Sequence, residues 1–245
     1  MHIHRLVKTA FSAAILFISL PSHAQPSCDP PPSGLVGWWP GNGNAIDVIG
    51  GNNGALTSGV GYAAGEVGEG FLFNANDNAV IITNTPSLQL QNFTVEMWIK
   101  RSSASVVTLG TTGNALLFGT GNNGYGFGIY NDGTLFLTEI DVNGLNASVA
   151  VTDTNFHHVA LTKTNTTVVF YLDGVAYPAG PYSSTFEFSS DASIGGRSDL
   201  QGYTFTGVIN QVSVYDRALS GTEIAGIFDA GSVGKCTTSN LGGQA

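Results

Sequence analysis

Charge is scarce in this chain of 245 residues: 10% is Asp, Glu, Lys or Arg, and only eight residues are basic. Against them stand 17 acids, giving a formal charge of −9, a balance that repels nucleic acid and anionic lipid. It suits calcium or a neutral glycan as partner, although acidity is also ordinary in exported proteins. Cysteine is nearly missing, and the two present, Cys28 and Cys236, have no Cys/His cluster around them of the kind a zinc module needs. Of five histidines, three fall in the first 24 residues, leaving only His157 and His158. There is no Gly-x-Ser-x-Gly elbow, HExxH helix or phosphate loop, so the common signatures of hydrolases and nucleotide enzymes are excluded. Long apolar runs are also missing beyond residue 20, so no later segment reaches the roughly 20 residues a spanning helix needs.

What is present begins with a leader pattern. Arg5 and Lys8 precede a largely apolar run from Ala10 to Leu20, followed by Pro21 and Ser22-His23-Ala24. This is the layout of a secretory signal peptide over 1–24, cleaved after Ala24. Its removal leaves six basic residues against 17 acids, a formal charge of −11. Export, extracellular or periplasmic, then turns the even cysteine count into an expected Cys28–Cys236 disulfide that pins both ends of one domain together.

A Pro-rich lead-in occupies 25–33 and a polar, Gly-rich tail 237–245. Between them, apolar runs of five to eight residues are interrupted by Gly, Asn, Asp and Ser clusters, the pattern of an all-β sandwich or barrel. In FTVEMWIK, Phe93, Val95, Met97 and Ile99 share one face and Thr94, Glu96, Trp98 and Lys100 the other. Further strands are expected at 71–74, 79–83, 115–120, 125–131, 134–140, 157–164, 167–174 and 207–216. Turns are expected at Asn131-Asp132-Gly133, Asn165-Thr166 and Asp173-Gly174. One helix is expected near 220–231, with Ser220 and Glu223 as a capping box and Ile224, Ile227 and Phe228 as its apolar stripe.

Five segments in this order, GLVGWWPGNGNAIDVIGGNNGAL (34–56), VGEGFLFNANDNAVII (67–82), FTVEMWIK (93–100), FHHVALTKTNTTVVFYLDG (156–174) and GVINQVSVYDRALSGTEIAGIFDAG (207–231), carry a family resemblance. The chain resembles the LamG-like jelly-roll domains of the concanavalin A-like lectin/glucanase superfamily. The resemblance implies a two-sheet antiparallel jelly roll over 34–236 with one short C-terminal helix. It also implies a structural calcium held by Asp47, Asn52, Asn53 and the loop end near Asn210, where relatives carry an acid in place of Asn210. The plainer alternative is a metal-free turn tied by asparagine side chains. The glucanases of the superfamily place paired acids on one strand as Glu-x-Asp-x-x-Glu, and nothing here fits: Glu96 is followed by Met97, Trp98, Ile99 and Lys100.

No ligand-binding residue is singled out. Trp38 and Trp39 are neighbours on a strand, point to opposite faces and cannot form one sugar platform. Trp98 reads as packing, His157 and His158 as strand elements, and Arg217 as an ion-pair partner at the exit of the last strand. Tyr125, Tyr130, Tyr182 and Tyr203 lie near loops and are candidates for contact with a ligand. The expected function is a secreted, non-catalytic recognition module for a glycan or an extracellular protein. The alternative is a structural or adhesive cell-surface component that binds no sugar.

Overall fold

A computed structural model describes residues 28–57 and 59–237. The expected signal peptide, most of the tail and the first part of the Pro-rich lead-in lie outside the described residues.

The described residues form fifteen strands and one α-helix. In order they are β1 (Leu35–Trp39), β2 (Gly54–Leu56), β3 (Gly61–Ala64), β4 (Glu69–Phe73), β5 (Val80–Ile82), β6 (Phe93–Arg101), β7 (Asn114–Gly119), β8 (Tyr125–Tyr130) and β9 (Thr134–Glu139). There follow β10 (Asn143–Ala150), β11 (Phe156–Thr164), β12 (Thr167–Leu172), β13 (Val175–Pro178), β14 (Ala192–Ile194), β15 (Gly207–Tyr215) and α1 (Gly221–Asp229). One sheet runs β13-β12-β11-β6-β15-β4-β3, with β1 also paired to β15; the other runs β10-β9-β8-β7-β14-β5-β2. All strand pairs are antiparallel. Alternating residues of the two facing sheets, among them Phe93, Val95, Met97 and Ile99 with Phe118, Phe127, Leu135 and Leu137, fill a single core. The architecture is the all-β two-sheet jelly roll expected from the sequence. The Asp173-Gly174 turn has both φ angles positive, 50° and 76°, as a two-residue type I′ hairpin requires.

The outer faces of the two sheets differ. Helix α1 begins at the Ser220–Glu223 capping box and seats Ile224 and Ile227 on Ala160, Tyr171, Tyr215 and Leu219, closing the outer face of the eight-stranded sheet. Arg217 donates to both Glu223 oxygens, so its ion-pair partner is the capping-box acid. The Cys28–Cys236 disulfide links residues 208 apart in sequence and lays the C-terminal segment over the same face. As a result β6 is buried on both sides, and of its nine residues only Lys100 is exposed. Among the described residues, no helix or disulfide-linked segment lies over the outer face of the seven-stranded sheet.

Candidate functional site

Cross-strand register builds the open face row by row. Leu116, Gly128, Phe136 and Asn146 align across β7, β8, β9 and β10, and Asn114 aligns with Tyr130 in the next row. Glycine takes the outward positions of β8 because the neighbouring side chains need its space. A Cβ on Gly128 would sit 2.2 Å from Phe136 Cζ, and one on Gly126 about 3.0 Å from both Leu116 and Thr138. The Phe136 ring therefore lies across the backbone of β8, and Tyr130 packs on it with ring centroids 4.7 Å apart. Leu116, Phe136 and Ile140 form a small apolar cluster of their own on this face, separate from the main core.

The segment after β14 walls the cluster. Leu116 N–H donates to Tyr203 O at 2.9 Å, and Leu200 and Tyr203 both adopt left-handed backbone, φ 57° and 58°. Side chains other than glycine rarely hold that conformation away from sites that need it. Between this wall and the start of β10 lies a depression of about 290 Å³ lined by Tyr130, Phe136, Thr138, Asn143, Arg197 and Tyr203 among others. A second depression of about 400 Å³, lined by Gly113, Tyr130, Asn131, Asp132, Thr134 and Asn146, continues it on the other side of Tyr130. The two depressions, here termed the trough, share the Tyr130 side chain and are rimmed by amides and hydroxyls. Of the four loop-side tyrosines, Tyr130 and Tyr203 line it. Tyr125 is buried in the core with its hydroxyl on Leu88 O, and Tyr182 is buried with its hydroxyl accepting from Glu139 N–H.

The opening Trp-Trp tract has a different role. Trp39 enters the main core and Trp38 the opposite face, each at most 2% exposed, so alternation buries both. The Asp47 carboxylate, 5% exposed, accepts from four N–H groups: Trp38 N and Ile49 N on Oδ1, Asn52 N and Asn52 Nδ2 on Oδ2, all at 2.9–3.0 Å. Asn53 Oδ1 accepts from Asp47 N, and Asn52 Oδ1 accepts from the hydroxyls of Thr85 and Ser87. Asn210 stands apart: its hydrogen bonds run to Pro40, Val67 and Glu69, and none reaches Asp47, Asn52 or Asn53. It clamps the junction where β4 leaves the edge of β15 and β1 takes over, next to the bulge at Gln211, φ 60°. Calcium needs six to eight oxygens with lone pairs free to converge on it. Here N–H donors converge on the one carboxylate, and the fourth expected ligand serves another junction. The arrangement does not fit calcium; it fits a turn fastened by an anion.

A buried ionic group lies under α1 and the C-terminal segment. Lys235 Nζ donates to Glu96 Oε1 at 2.8 Å, and His158 Nε2 lies 3.1 Å from Glu96 Oε2. Trp38 faces the Lys235 ammonium at 5.1 Å, and Trp98 meets His158 edge-on at 5.3 Å and stacks on Phe228. Burial alone would raise the Glu96 carboxyl, but Lys235 and the His158 hydrogen bond outweigh it and hold the group at about 2. His157 is held by Asp173 and Asp153 at 2.7 and 3.0 Å. These residues fasten the covered face and do not approach the trough.

An all-β sandwich of two antiparallel sheets, sealed on one outer face by a helix and the C-terminal segment, is a jelly roll. The chain belongs to the concanavalin A-like lectin/glucanases superfamily, whose family model matches residues 74–225. No curated protein matches the chain. Among solved structures, it is similar to domain 4 of AbnA, an extracellular arabinanase of Geobacillus stearothermophilus solved with arabinotriose. The identity is 16% and the TM-score 0.64, over 80% of this chain and 98% of that one. The binding domain of Paraclostridial Mosquitocidal Protein 1 matches at 18% identity and TM-score 0.61, over 80% of this chain and 52% of its own. Trypanosoma rangeli sialidase matches at 19% identity and TM-score 0.57, with 81% of this chain covering 33% of that enzyme. The chain thus spans about a third of the sialidase's length, and likeness at these identities concerns the fold alone.

Proposed function

We propose that this chain is an exported, non-catalytic carbohydrate-binding module whose ligand lies in the trough on the open face of the seven-stranded sheet. The observation that carries this reading is the trough itself: the half-buried Tyr130 and Tyr203 present ring surface over the buried Phe136, among Asn114, Thr138, Asn143 and Asn146, on the outer face of the seven-stranded sheet. A pyranose or furanose offers an apolar face and a girdle of hydroxyls, and an aromatic floor with amide and hydroxyl walls matches both. Membership in a superfamily of lectins and glucanases, and the likeness of fold to a domain solved with arabinotriose, support the same class of ligand.

A non-catalytic role is favoured by the state of the nearby acids. Asp141 and Asp199 are committed to Arg197, Glu139 accepts from Asn143, Asp132 accepts from Thr134 N–H with no second acid lining its depression among the described residues, and Glu96 is sealed on the far side of the fold. Export is favoured by the leader pattern and by the Cys28–Cys236 disulfide. No helix among the described residues is long and apolar enough to cross a membrane.

The test is a glycan array followed by calorimetry on the strongest ligand. Tyr130→Ala, which removes the ring shared by both depressions, is expected to weaken binding about ten-fold or more, equivalent to roughly 1.4 kcal/mol. Its melting temperature should stay near that of the wild type. A blank array, or unchanged affinity in the variant, would remove the trough from consideration and leave the scaffold or adhesive role.

A further inference from the structure

The charge balance of the trough follows from one residue. Arg197, 9% exposed, donates from Nη1 and Nη2 to both Asp141 oxygens at 2.6 and 2.9 Å, from Nε and Nη2 to Asp199, and from Nη2 to Asn122 Oδ1 at 2.7 Å. The Tyr203 ring packs over its guanidinium at 5.6 Å. One cation is therefore claimed by two carboxylates, and its planar fork is already filled in the bidentate manner that recognises an anion. The hydrogen bonds it donates to Asp199 and Asp141 raise its pKa, outweighing burial, so it stays charged and paired.

No other cationic side chain lines the two depressions among the described residues. Asp132 lines the far one, kept ionised by hydrogen bonds from Thr134 and by the neighbouring Arg101. Arg101 itself is buried behind the rim, donating to Val151 O and Asn131 O, and offers nothing to the trough. A carboxylate or sulfate on a ligand would meet Asp132 and Asp141 and would have to unseat an ion pair to find a partner. Like-charge juxtaposition disfavours an anionic partner, and within about 8 Å physiological salt screens it only in part. The remaining groups, Asn114, Thr134, Thr138, Asn143 and Asn146, are neutral donors and acceptors suited to hydroxyls.

We infer that the trough selects a neutral glycan chain, laid across Tyr130 from one depression into the other, and rejects sialylated, sulfated and uronic-acid glycans because Arg197 is already saturated by Asp141 and Asp199. This rests on the carbohydrate-binding reading above and adds the chemical class of the ligand.

The experiment uses the full exported chain on an array of neutral oligosaccharides, each beside its sialylated, sulfated or uronic-acid counterpart. Calorimetry on the best pair follows at low and high salt. Neutral members are expected to bind at least about ten-fold more tightly, with affinity insensitive to salt, and to gain from chains of two or more sugars. In the Asp141→Asn/Asp199→Asn double variant the guanidinium is released, and the neutral-to-anionic affinity ratio is expected to fall at least about five-fold. Equal or tighter binding of the anionic members by the wild type would overturn the inference while leaving carbohydrate binding intact. So would an unchanged ratio in a double variant whose melting curve shows it folded. Silence across the whole array would overturn both.

Discussion

Acid should loosen this fold through Glu96, and because that carboxyl is fully buried the size of the effect can be worked from its surroundings. The group is fully buried and its pKa falls from the ordinary 4.5 to about 2, because Lys235 and His158 outweigh the burial that would raise it. A carboxyl depressed in the folded state contributes stability that is complete above its unfolded pKa and is lost as pH falls through the folded one. At about 1.4 kcal/mol per unit, the depression corresponds to roughly 3 kcal/mol, lost between about pH 4.5 and pH 2. Asp132, Asp153, Asp199 and Glu223 are depressed too and contribute in the same direction. The measurement is therefore a difference: urea unfolding followed by tryptophan fluorescence at a series of pH values, for the wild type and for Glu96→Gln/Lys235→Met. Trp38 and Trp98 flank the pair and report its loss. The wild type should lose about 3 kcal/mol more than the double variant on acidification. At neutral pH, Lys235→Met alone should cost about 3–5 kcal/mol by stranding the buried carboxylate, and the double variant less. Parallel pH curves for the two proteins, or single-variant costs that simply add, would refute the assignment of Glu96 as a buried, charge-compensated anion.

Two further outcomes are expected. Asp47→Ala removes an acceptor from four N–H donors and should lower stability by about 4 kcal/mol at about 1 kcal/mol per hydrogen bond. Calcium added to the chelated wild type should leave the melting temperature unchanged, and an upward shift absent from Asp47→Asn would show that the loop opens for a cation. Reduction of Cys28–Cys236 should lower the urea midpoint by an amount equivalent to about 2–5 kcal/mol; an unchanged midpoint would show that the terminal segment is held without the bond.

Strand identity was legible where alternation was strong. The residues of β6, β8, β9, β11, β12 and β15 announce themselves by apolar periodicity, and the helix by its capping box. Strand β10 did not, because NGLNASVA at a sheet edge is mostly small and polar and has little to bury on its outward side. The residues of one strand also do not reveal what covers them. Alternation in FTVEMWIK separates two faces, and Trp98 reads as packing, but the strand does not say that Thr94, Glu96 and Trp98 lie beneath a helix and a terminal segment more than 120 residues away in sequence. The Asp47 tract shows a related limit: Asp and Asn in a Gly-rich loop suit either a cation or a set of N–H groups, and only the direction of the donors separates the two.

The trough was the least legible feature, and the reason is geometric. Its floor comes from β7, β8 and β9, its near edge from the unrecognised β10, and its wall from Arg197 and Tyr203, which reach it only through the pairing of Leu116 with Tyr203 and Thr204. One local sign was available: in YGFGIY the glycines occupy one face while Tyr125, Phe127 and Ile129 occupy the core face, so Gly126 and Gly128 leave a strip of bare backbone outward. A strip of that kind weakens a strand unless a neighbouring side chain lies over it, and Phe136 does so. The same economy separates binding from stability in this molecule. The buried Glu96–Lys235 pair and the disulfide lie over the eight-stranded sheet, whereas the open face is held by register, by one small apolar cluster and by the partly exposed pairing of Arg197 with Asp141 and Asp199. Rim residues such as Asn143 and Asn146 can therefore vary with the ligand at little cost to the fold, while Gly128 and Phe136 can change only together.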